Sequence, residues 1–463
     1  MRNLEMSNNT DSVRTSLSER LKDLCDEYRR HNGFNAKDYL TYGVKRGLRN
    51  PDGTGVMAGL TNICNVHGFM MDDGVKVPDE GKLTYRGVDV KDIIRACIKE
   101  NRFGYEEVSW LLLFGSLPTE DQLAKFKDTL GSLRELPDNF VEDMIMKSPS
   151  KDIMNKLSRS VLALYSFDDN PDDTSLENIM RQSITLLACL PTIMTYAYQV
   201  KKRAFDRESM FFHPVDLKLS TSESILRALR PDMHFTDTEA KLLDLCMILH
   251  AEHGGGNNST FAARVLSSSG TDTYATVSAA IGSLKGPRHG GANLRVRRMM
   301  EELKNEVRDW SDEEEIYNYL AAIVRKEKCD GSGLIYGFGH AIYTLSDPRA
   351  VILKHTAEKL AVEKKMTKEY ELYKTVEKLT PSVLAEVKGS SKVICANVDF
   401  YSGFVYDMLG IPSDLFTPIF AISRIAGWCA HRIEEVTYGG RIIRPAYRAM
   451  VGSKRYIPIS DRK

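Results

Sequence analysis

Apolar residues recur every three to four positions along most of this 463-residue chain, which is the period of an amphipathic α-helix. In Ser12–Arg30, for example, the residues Leu17, Leu21, Leu24, Cys25 and Tyr28 would share one helical face. The same period predicts helices over Thr119–Leu133, Asp152–Leu164, Leu176–Lys201, Thr238–His250, Asp272–Lys285, Ala292–Lys304 and Asp312–Lys326. We therefore expect a mainly α, multi-helix globular fold.

Two features interrupt the helical pattern. Pro191 lies inside the longest predicted helix and should kink or break it, because proline has no backbone N–H and its ring crowds the preceding turn. A short β region is predicted near the N-terminus, with strands at Val56–Asn65 and Lys82–Arg86 separated by the turn-rich segment Asp72–Gly81.

Three glycine-rich breaks, Gly286–Gly291, Gly331–Gly339 and Gly410–Pro412, divide the chain. They predict a large domain formed by residues 1–290 and 411–463, with a smaller helical domain, residues 291–410, inserted between its two parts. No repeat of fixed length is present, which disfavours a helical solenoid.

Charge and composition exclude several classes of protein. Lys and Arg number 63 and so do Asp and Glu, so no basic excess favours nucleic acid or an anionic membrane. The most apolar stretch, Leu415–Ala430, contains Arg424 and is too short to span a membrane. Met1–Ser16 lacks the apolar core of a signal peptide, and the eight cysteines form no Cys-x-x-Cys pair. A cytoplasmic protein without a disulfide framework or zinc ribbon is expected.

The first candidate site is His250-Ala-Glu-His253, which is followed by three glycines. A helix ends near His250, and another helix, capped by Asn258 or Ser259, follows the glycines. Three interpretations stay open: a zinc site, which lacks an obvious third ligand; structural histidines that cap the helix C-terminus; and an anion held by His253 and the free N–H groups of the second helix.

The second candidate is His289, just before the helix predicted to begin at Ala292. The positive end of the helix dipole disfavours protonation, and a neutral imidazole there is able to donate a hydrogen bond to an enolate. An ordinary surface-loop histidine explains the same pattern equally well.

The third candidate follows Gly331–Gly339. Asp347 and Pro348 predict a helix start, with Asp347 as N-cap and proline in the first position. Arg349 then lies in the first turn, where the dipole disfavours a cation. Either an anion lies nearby, or Arg349 forms a salt bridge with Asp347 or Asp330.

Three further charged residues lie in apolar surroundings. Asp399 ends an apolar run that begins at Val393, and it is either a helix N-cap or a general base. Arg424 lies within an apolar stretch and Arg444 within Ile442–Pro445. Buried guanidinium groups need partners, and their fork geometry suits carboxylates.

Taken in order, these segments resemble the citrate synthase family of the si-face type, together with Gly81–Gly87 and Trp110–Thr119. The family's fold is nearly all α, with a large domain and a smaller inserted domain that closes over the substrates. The resemblance implies a homodimer whose active site is completed by the partner subunit.

The resemblance also implies the reaction. Acetyl-CoA would condense with oxaloacetate, and citryl-CoA would be hydrolysed to citrate and CoA, which is the entry step of the tricarboxylic acid cycle. The alternative is a 2-methylcitrate synthase acting on propionyl-CoA, since a single methylene is worth only about 1–3 kcal/mol of discrimination. No metal and no permanently bound cofactor are expected; the CoA thioester is a substrate.

Site residues follow from the same resemblance. The catalytic residues would be Asp399 as base, His289 as enolate stabiliser and His340 as the group that polarises and protonates the oxaloacetate carbonyl. Oxaloacetate would be bound by His253, His340, Arg349, Phe420, Arg424 and, from the partner subunit, Arg444. The adenine of CoA would lie against the backbone of Leu334, Ile335, Gly337, Phe338 and Gly339. Ala341, Thr344 and Arg288 depart from the family pattern and leave the phosphate contacts open.

Overall fold

The computed structural model describes residues 19–33, 35–50, 52–72, 75–389 and 393–462. Contacts divide the chain after Ala58 into two units. The first unit contains helices at 19–31 (α1) and Ala36–Thr41 (α2). Helix α1 confirms the later part of the helix predicted over Ser12–Arg30. Residues 12–18 of that prediction, and the segment Met1–Ser16, in which no signal peptide is expected, lie outside the described residues.

The second unit begins at Gly59 and is mainly helical, as predicted. Its helices are Val90–Lys99 (α3), Tyr105–Phe114 (α4), Glu120–Ser132 (α5), Ile153–Leu164 (α6), Leu176–Lys201 (α7), Thr221–Leu229 (α8), Asp237–His250 (α9), Asn258–Ser267 (α10), Thr273–Lys285 (α11), Ala292–Glu306 (α12), Glu313–Val324 (α13), Pro348–Glu363 (α14), Thr367–Lys388 (α15), Val398–Met408 (α16) and Phe416–Glu434 (α17). The division into domains at residues 291 and 410 stays a prediction.

Side-chain caps set where several of these helices begin. Asp152 accepts the N–H of Asn155 at the start of α6, and Asp272 accepts the N–H of Ala275 at the start of α11. Such caps satisfy N–H groups that have no partner within the helix. Pro191 was predicted to kink or break the helix; a break is wrong, because α7 runs through this residue without interruption, and a kink stays a prediction. The buried residues of α7 pack against α6, α8 and α17, and this packing offsets the roughly 3 kcal/mol cost of an interior proline.

Strand positions differ from the prediction. The antiparallel sheet has the order β1-β2-β3, with β1 at Cys64–Asp72, β2 at Val75–Tyr85 and β3 at Val88–Asp89. Pro78 was a turn signal in the sequence, yet it lies within β2 opposite Phe69. Strand β3 pairs only with Thr84 and Tyr85, so the edge of β2 at Pro78 needs no N–H on that side.

Helix α17 lies at the centre of the core and packs against α4, α7, α9, α10 and α11. Nearly all of its residues are buried, including Arg424, His431 and Arg432. A further apolar helical stretch, Leu176–Asp206, is long enough to cross a membrane, although no comparable segment was expected from the sequence. In its most apolar window 72% is buried inside the protein, as in the core helix of a globular fold.

Candidate active site

The guanidinium of Arg424 is fully buried and only partly hydrogen-bonded. Its Nε donates to the backbone oxygen of His250 at 2.6 Å, whereas Nη1 and Nη2 have no partner within the described part of the chain. Burial lowers the pKa of Arg424, and the negative charge of Glu252 opposes this effect. A buried cation with a free fork of N–H groups is a preformed site for a carboxylate.

Aromatic and imidazole rings surround this fork. Phe420, one turn earlier on α17, lies with its ring 4.8 Å from the Arg424 guanidinium carbon and 4.4 Å from the His250 ring. His253 contacts His340 edge to face, with ring centroids 5.0 Å apart, and His340 stacks on Tyr343 at 4.7 Å. Two of the predicted histidines are thus brought together although they are far apart in sequence.

His253 and His250 are neutral in this environment. Burial lowers the pKa of both rings well below its usual value, and the cations Arg349 and Arg424 lower it further. Neither ring nitrogen of His250 has a hydrogen-bond partner among the described residues, so its ring does not cap α9. Nε2 of buried His253 is also unpartnered there, which leaves a polar atom for a ligand.

Arg349 enters the site from the first turn of α14. Asp347 caps this helix and forms a bidentate pair with Arg349, with Nε at 3.0 Å and Nη2 at 2.8 Å. The predicted salt bridge is therefore made with Asp347, while Asp330 accepts the hydroxyl of Tyr336 at 2.5 Å. Asp347 raises the pKa of the Arg349 guanidinium against the opposing effect of burial, so the residue is charged.

Backbone contacts around His340 define its tautomer. The N–H groups of Ile342 and Tyr343 lie 3.1 and 3.2 Å from its Nδ1. Because a backbone N–H is only able to donate, Nδ1 is the acceptor and Nε2 carries the proton in the neutral ring. His340 is therefore arranged as a hydrogen-bond donor through Nε2.

A short backbone ladder joins the His340 loop to the Asp399 segment. Gly339 donates to the oxygen of Cys395 at 2.9 Å, and Asn397 donates to the oxygen of Gly337 at 2.8 Å. Gly337 has a φ of 85°, and a Cβ there would overlap the side chains of Phe400 and Val296. Only glycine fits this approach, which aligns two loops that are distant in sequence.

Asp399 is not the cap of its helix, contrary to one of the two predicted roles. Asn397 caps α16 and accepts the N–H of Asp399 at 3.0 Å, so Asp399 lies in the first turn with its carboxylate uncommitted to capping. Burial raises its pKa to about 6, Arg349 and Arg424 act against this effect, and Asp347 adds to it. A partly buried carboxylate with a raised pKa is suited to removing protons.

His289 is neutral, as predicted, but the dominant cause differs. Burial, followed by the charge of Arg424, lowers its pKa to about 4. The N–H of Ser259 lies 3.4 Å from Nε2 of His289, and the Ser259 hydroxyl lies 3.1 Å from the same nitrogen. If Nε2 accepts the backbone N–H, then Nδ1 carries the ring proton.

The segment Leu334–Gly339, which the resemblance implies for coenzyme binding, lies partly in the loop that precedes His340. Phe338 packs against Phe400 with ring centroids 4.9 Å apart, Ile335 is buried, and Leu334 is 49% exposed. Arg444, in contrast, lies exposed in the segment after Gly440, outside any helix or strand, and no described contact brings it to this site. Arg444 has no ion pair with any described residue.

Several contributing residues escaped the sequence analysis. Tyr343 stacks on His340, Trp428 donates to the Ser259 hydroxyl at 3.1 Å, and Asn257, rather than Asn258 or Ser259, precedes α10 as its N-cap. Asn397, two residues before Asp399, and Asn257 carried a local signal, since asparagine is a preferred cap. Within the described ranges, no group of three or more His, Cys, Asp or Glu residues is placed to hold a metal.

Known proteins resemble this chain in sequence and in fold. Residues 50–446 match the family model described as citrate synthase, C-terminal domain. A citrate synthase from Synechocystis sp. is 35% identical over 83% of this chain and 89% of its own, and a 2-methylcitrate synthase from Shewanella oneidensis is 35% identical over 82% and 92%. The structure of Thermoplasma acidophilum citrate synthase with carboxymethyl coenzyme A and oxaloacetate superposes with a TM-score of 0.72 at 28% identity, covering 90% of this chain and 99% of that one. This chain belongs to the citrate synthase family.

Proposed function

We propose that the protein condenses acetyl-CoA with oxaloacetate and hydrolyses the resulting citryl-CoA to citrate and CoA. The observation that carries this proposal is the unpaired, buried fork of Arg424 beside His253, His340 and Arg349. A fixed cationic fork flanked by a second arginine and by imidazole donors suits a small dicarboxylate with a carbonyl group.

Oxaloacetate binds between the two arginines. Arg424 holds one carboxylate through its free terminal nitrogens, and Arg349 supplies charge to the other carboxylate. Phe420 walls the pocket and His253 donates to the substrate. Arg444 of the partner subunit completes the site, which accounts for the exposure of this residue and for the lack of an ion pair between it and the described residues of the same chain.

Proton transfer starts the reaction. Asp399 removes a proton from the acetyl methyl group, and its raised pKa makes it a stronger base than an ordinary carboxylate. Nδ1–H of neutral His289 donates to the thioester oxygen as negative charge develops there. Each acid or base contributes roughly 10²–10⁴-fold to the rate.

Carbon–carbon bond formation follows. His340, with its proton on Nε2, polarises the oxaloacetate carbonyl and protonates it as the enolate attacks. Water then hydrolyses the citryl thioester in the same site. The predicted small domain, residues 291–410, closes over the substrates and excludes water until condensation is complete.

We further propose a cytoplasmic homodimer that supplies the tricarboxylic acid cycle. The segment Leu334–Gly339 receives the adenine of CoA through its backbone groups, as the sequence resemblance implies. The 49% exposure of Leu334 supports an accessible coenzyme site.

The test is release of free thiol from acetyl-CoA and from propionyl-CoA, with and without oxaloacetate, in the presence of a chelator. We expect oxaloacetate-dependent release with a higher kcat/KM for acetyl-CoA. A preference for propionyl-CoA would establish 2-methylcitrate synthase instead, a candidate favoured by the equal identity of the Shewanella relative. No release from either thioester would contradict both functions.

A further inference from the structure

A buried acid–histidine pair lies next to the Arg424 fork without belonging to the proposed chemistry. Glu252 and His431 are both fully buried, and Nε2 of His431 lies 3.0 Å from Oε1 of Glu252. The same oxygen accepts the N–H of Gly254 at 2.6 Å. Burial of two such groups costs folding free energy, and a functional role of the pair would account for this cost.

Arg264 fixes the direction of the hydrogen bond between His431 and Glu252. Nε of Arg264 donates to Nδ1 of His431 at 3.0 Å, and arginine is only able to donate. His431 therefore carries its proton on Nε2 and donates a hydrogen bond from this nitrogen to Glu252. Arg264 is itself held by Glu434 and Glu435, so the imidazole cannot turn freely.

Helix α17 aligns the arginine and the histidine along one of its faces, with a glycine between them. Arg424, Gly427 and His431 are spaced by three and four residues and share one helix face. Oε2 of Glu252 lies against Gly427, where a Cβ would overlap it, and it has no hydrogen-bond partner in the described part of the molecule. Glu252 is thus positioned over the helix between the arginine and the histidine.

This placement has an electrostatic consequence. Glu252 is the carboxylate with the largest influence on the Arg424 charge, yet no hydrogen bond joins the two side chains among the described contacts. A carboxylate that paired directly with Arg424 would fill the fork that a substrate carboxylate must enter. The two hydrogen bonds to Oε1 keep the counter-charge close while the fork stays open.

We propose that His431 is a positioning residue that holds Glu252 away from Arg424. It thereby prevents this internal carboxylate from occupying the oxaloacetate site. This inference rests on the proposed function of Arg424. It assigns Glu252 the role of a restrained counter-ion, and His431, locked by Arg264, the role of its restraint.

The test compares H431L, E252Q and the double variant E252Q/H431L by steady-state kinetics and by calorimetric binding of oxaloacetate. In H431L, Glu252 is released toward Arg424, so KM and Kd for oxaloacetate rise by about 10-fold with little change in kcat. The double variant lacks the competing negative charge, so both constants return to within about threefold of those of E252Q. H431Q, which is able both to donate to Glu252 and to accept from Arg264, retains near-normal constants.

Matched controls separate this role from a general loss of packing. R432M removes a neighbouring buried polar side chain of α17, and any effect it has on KM is not relieved by E252Q. Where H431L does not fold, R264Q frees His431 and gives a smaller increase that E252Q also relieves.

Two results would overturn the inference: an unchanged KM in soluble H431L, or an increase that persists in E252Q/H431L. Wild-type protein that binds oxaloacetate but releases no thiol would contradict the proposed function alone, since the binding series still decides the role of His431. Wild-type protein that does not bind oxaloacetate at all would overturn both.

Discussion

The carboxylate of Asp347 holds Arg349 through three N–H groups: the backbone N–H and Nε at 3.0 Å, and Nη2 at 2.8 Å. The same carboxylate accepts the N–H of Val398 at 3.2 Å, one residue before Asp399. A single buried anion therefore aligns the arginine proposed to bind substrate with the first turn of the helix that carries the proposed base.

Replacing Asp347 by Asn should destabilise the fold strongly. Arg349 would keep its buried positive charge without a counter-charge, and breaking a buried pair on one side costs about 3–5 kcal/mol in the free energy of unfolding. Denaturant unfolding followed by tryptophan fluorescence measures this change. E371Q, which breaks the exposed pair with Lys374, is the control and should cost less than about 1 kcal/mol. Equal losses of unfolding free energy in the two variants would contradict the role of Asp347 as the counter-charge of Arg349.

Asp399→Asn should abolish most turnover while sparing substrate binding. The amide cannot accept the proton of the acetyl methyl group, so kcat should fall about 10²–10⁴-fold with Kd for oxaloacetate nearly unchanged. D407N, at the other end of the same helix and paired with Arg297, is the matched control and should retain kcat. Normal turnover in D399N would eliminate Asp399 as the base.

The pH profile should report the ionisation of Asp399. Its pKa is raised to about 6 and only the ionised form acts as a base, so kcat/KM should be high above this pH and fall as pH drops through it. His289, with a pKa of about 4, stays neutral over the same range and adds no second limb there. The measurement is kcat/KM for oxaloacetate-dependent thiol release between pH 5 and 8. A flat profile down to pH 5 would count against the raised pKa.

Arg424→Lys tests the fork itself. Lysine keeps the charge but has no planar pair of N–H donors, so KM for oxaloacetate should rise about 100-fold, the loss of roughly 2.7 kcal/mol of charged hydrogen bonding. R432K alters a buried arginine on the same helix that donates to Ser267, Thr271, Thr273 and Thr276, and it should leave KM within about threefold. Similar KM values in the two variants would mean that the fork does not receive the substrate.

The proposed contribution of Arg444 across a dimer is open to complementation. D399A and R444A should each be nearly inactive alone, because each lacks one part of every site. After subunit exchange, half of the dimers are mixed and each mixed dimer has one intact site, so about a quarter of wild-type activity should return. Verified exchange without any recovery would exclude a shared active site.

Helices were predictable because their signals are local. The period of apolar residues located α7 at Leu176–Lys201, and it placed the starts of α6 and α11 at Asp152 and Asp272, which the structure shows to be their caps. Strands were less predictable. Pro78 is a turn signal in isolation but is tolerated in β2 outside the residues that pair with β3, and Gly81, another turn signal, lies in β2 packed closely against Ser346. Whether a proline or glycine interrupts an element depends on neighbours that the local sequence does not specify.

For this protein, the sequence by itself determined the helical fold and which residue types are available for chemistry: three of the four histidines that adjoin a glycine, an aspartate after an apolar run and arginines in apolar segments. Only the tertiary structure decided what those residues do. His253 and His340 become neighbours, Asn397 takes the cap and releases Asp399, and Glu252 stays off Arg424. The physical reason is that burial, charge balance and hydrogen-bond direction are properties of contacts between distant segments, whereas helical period and capping act within a few residues of the chain.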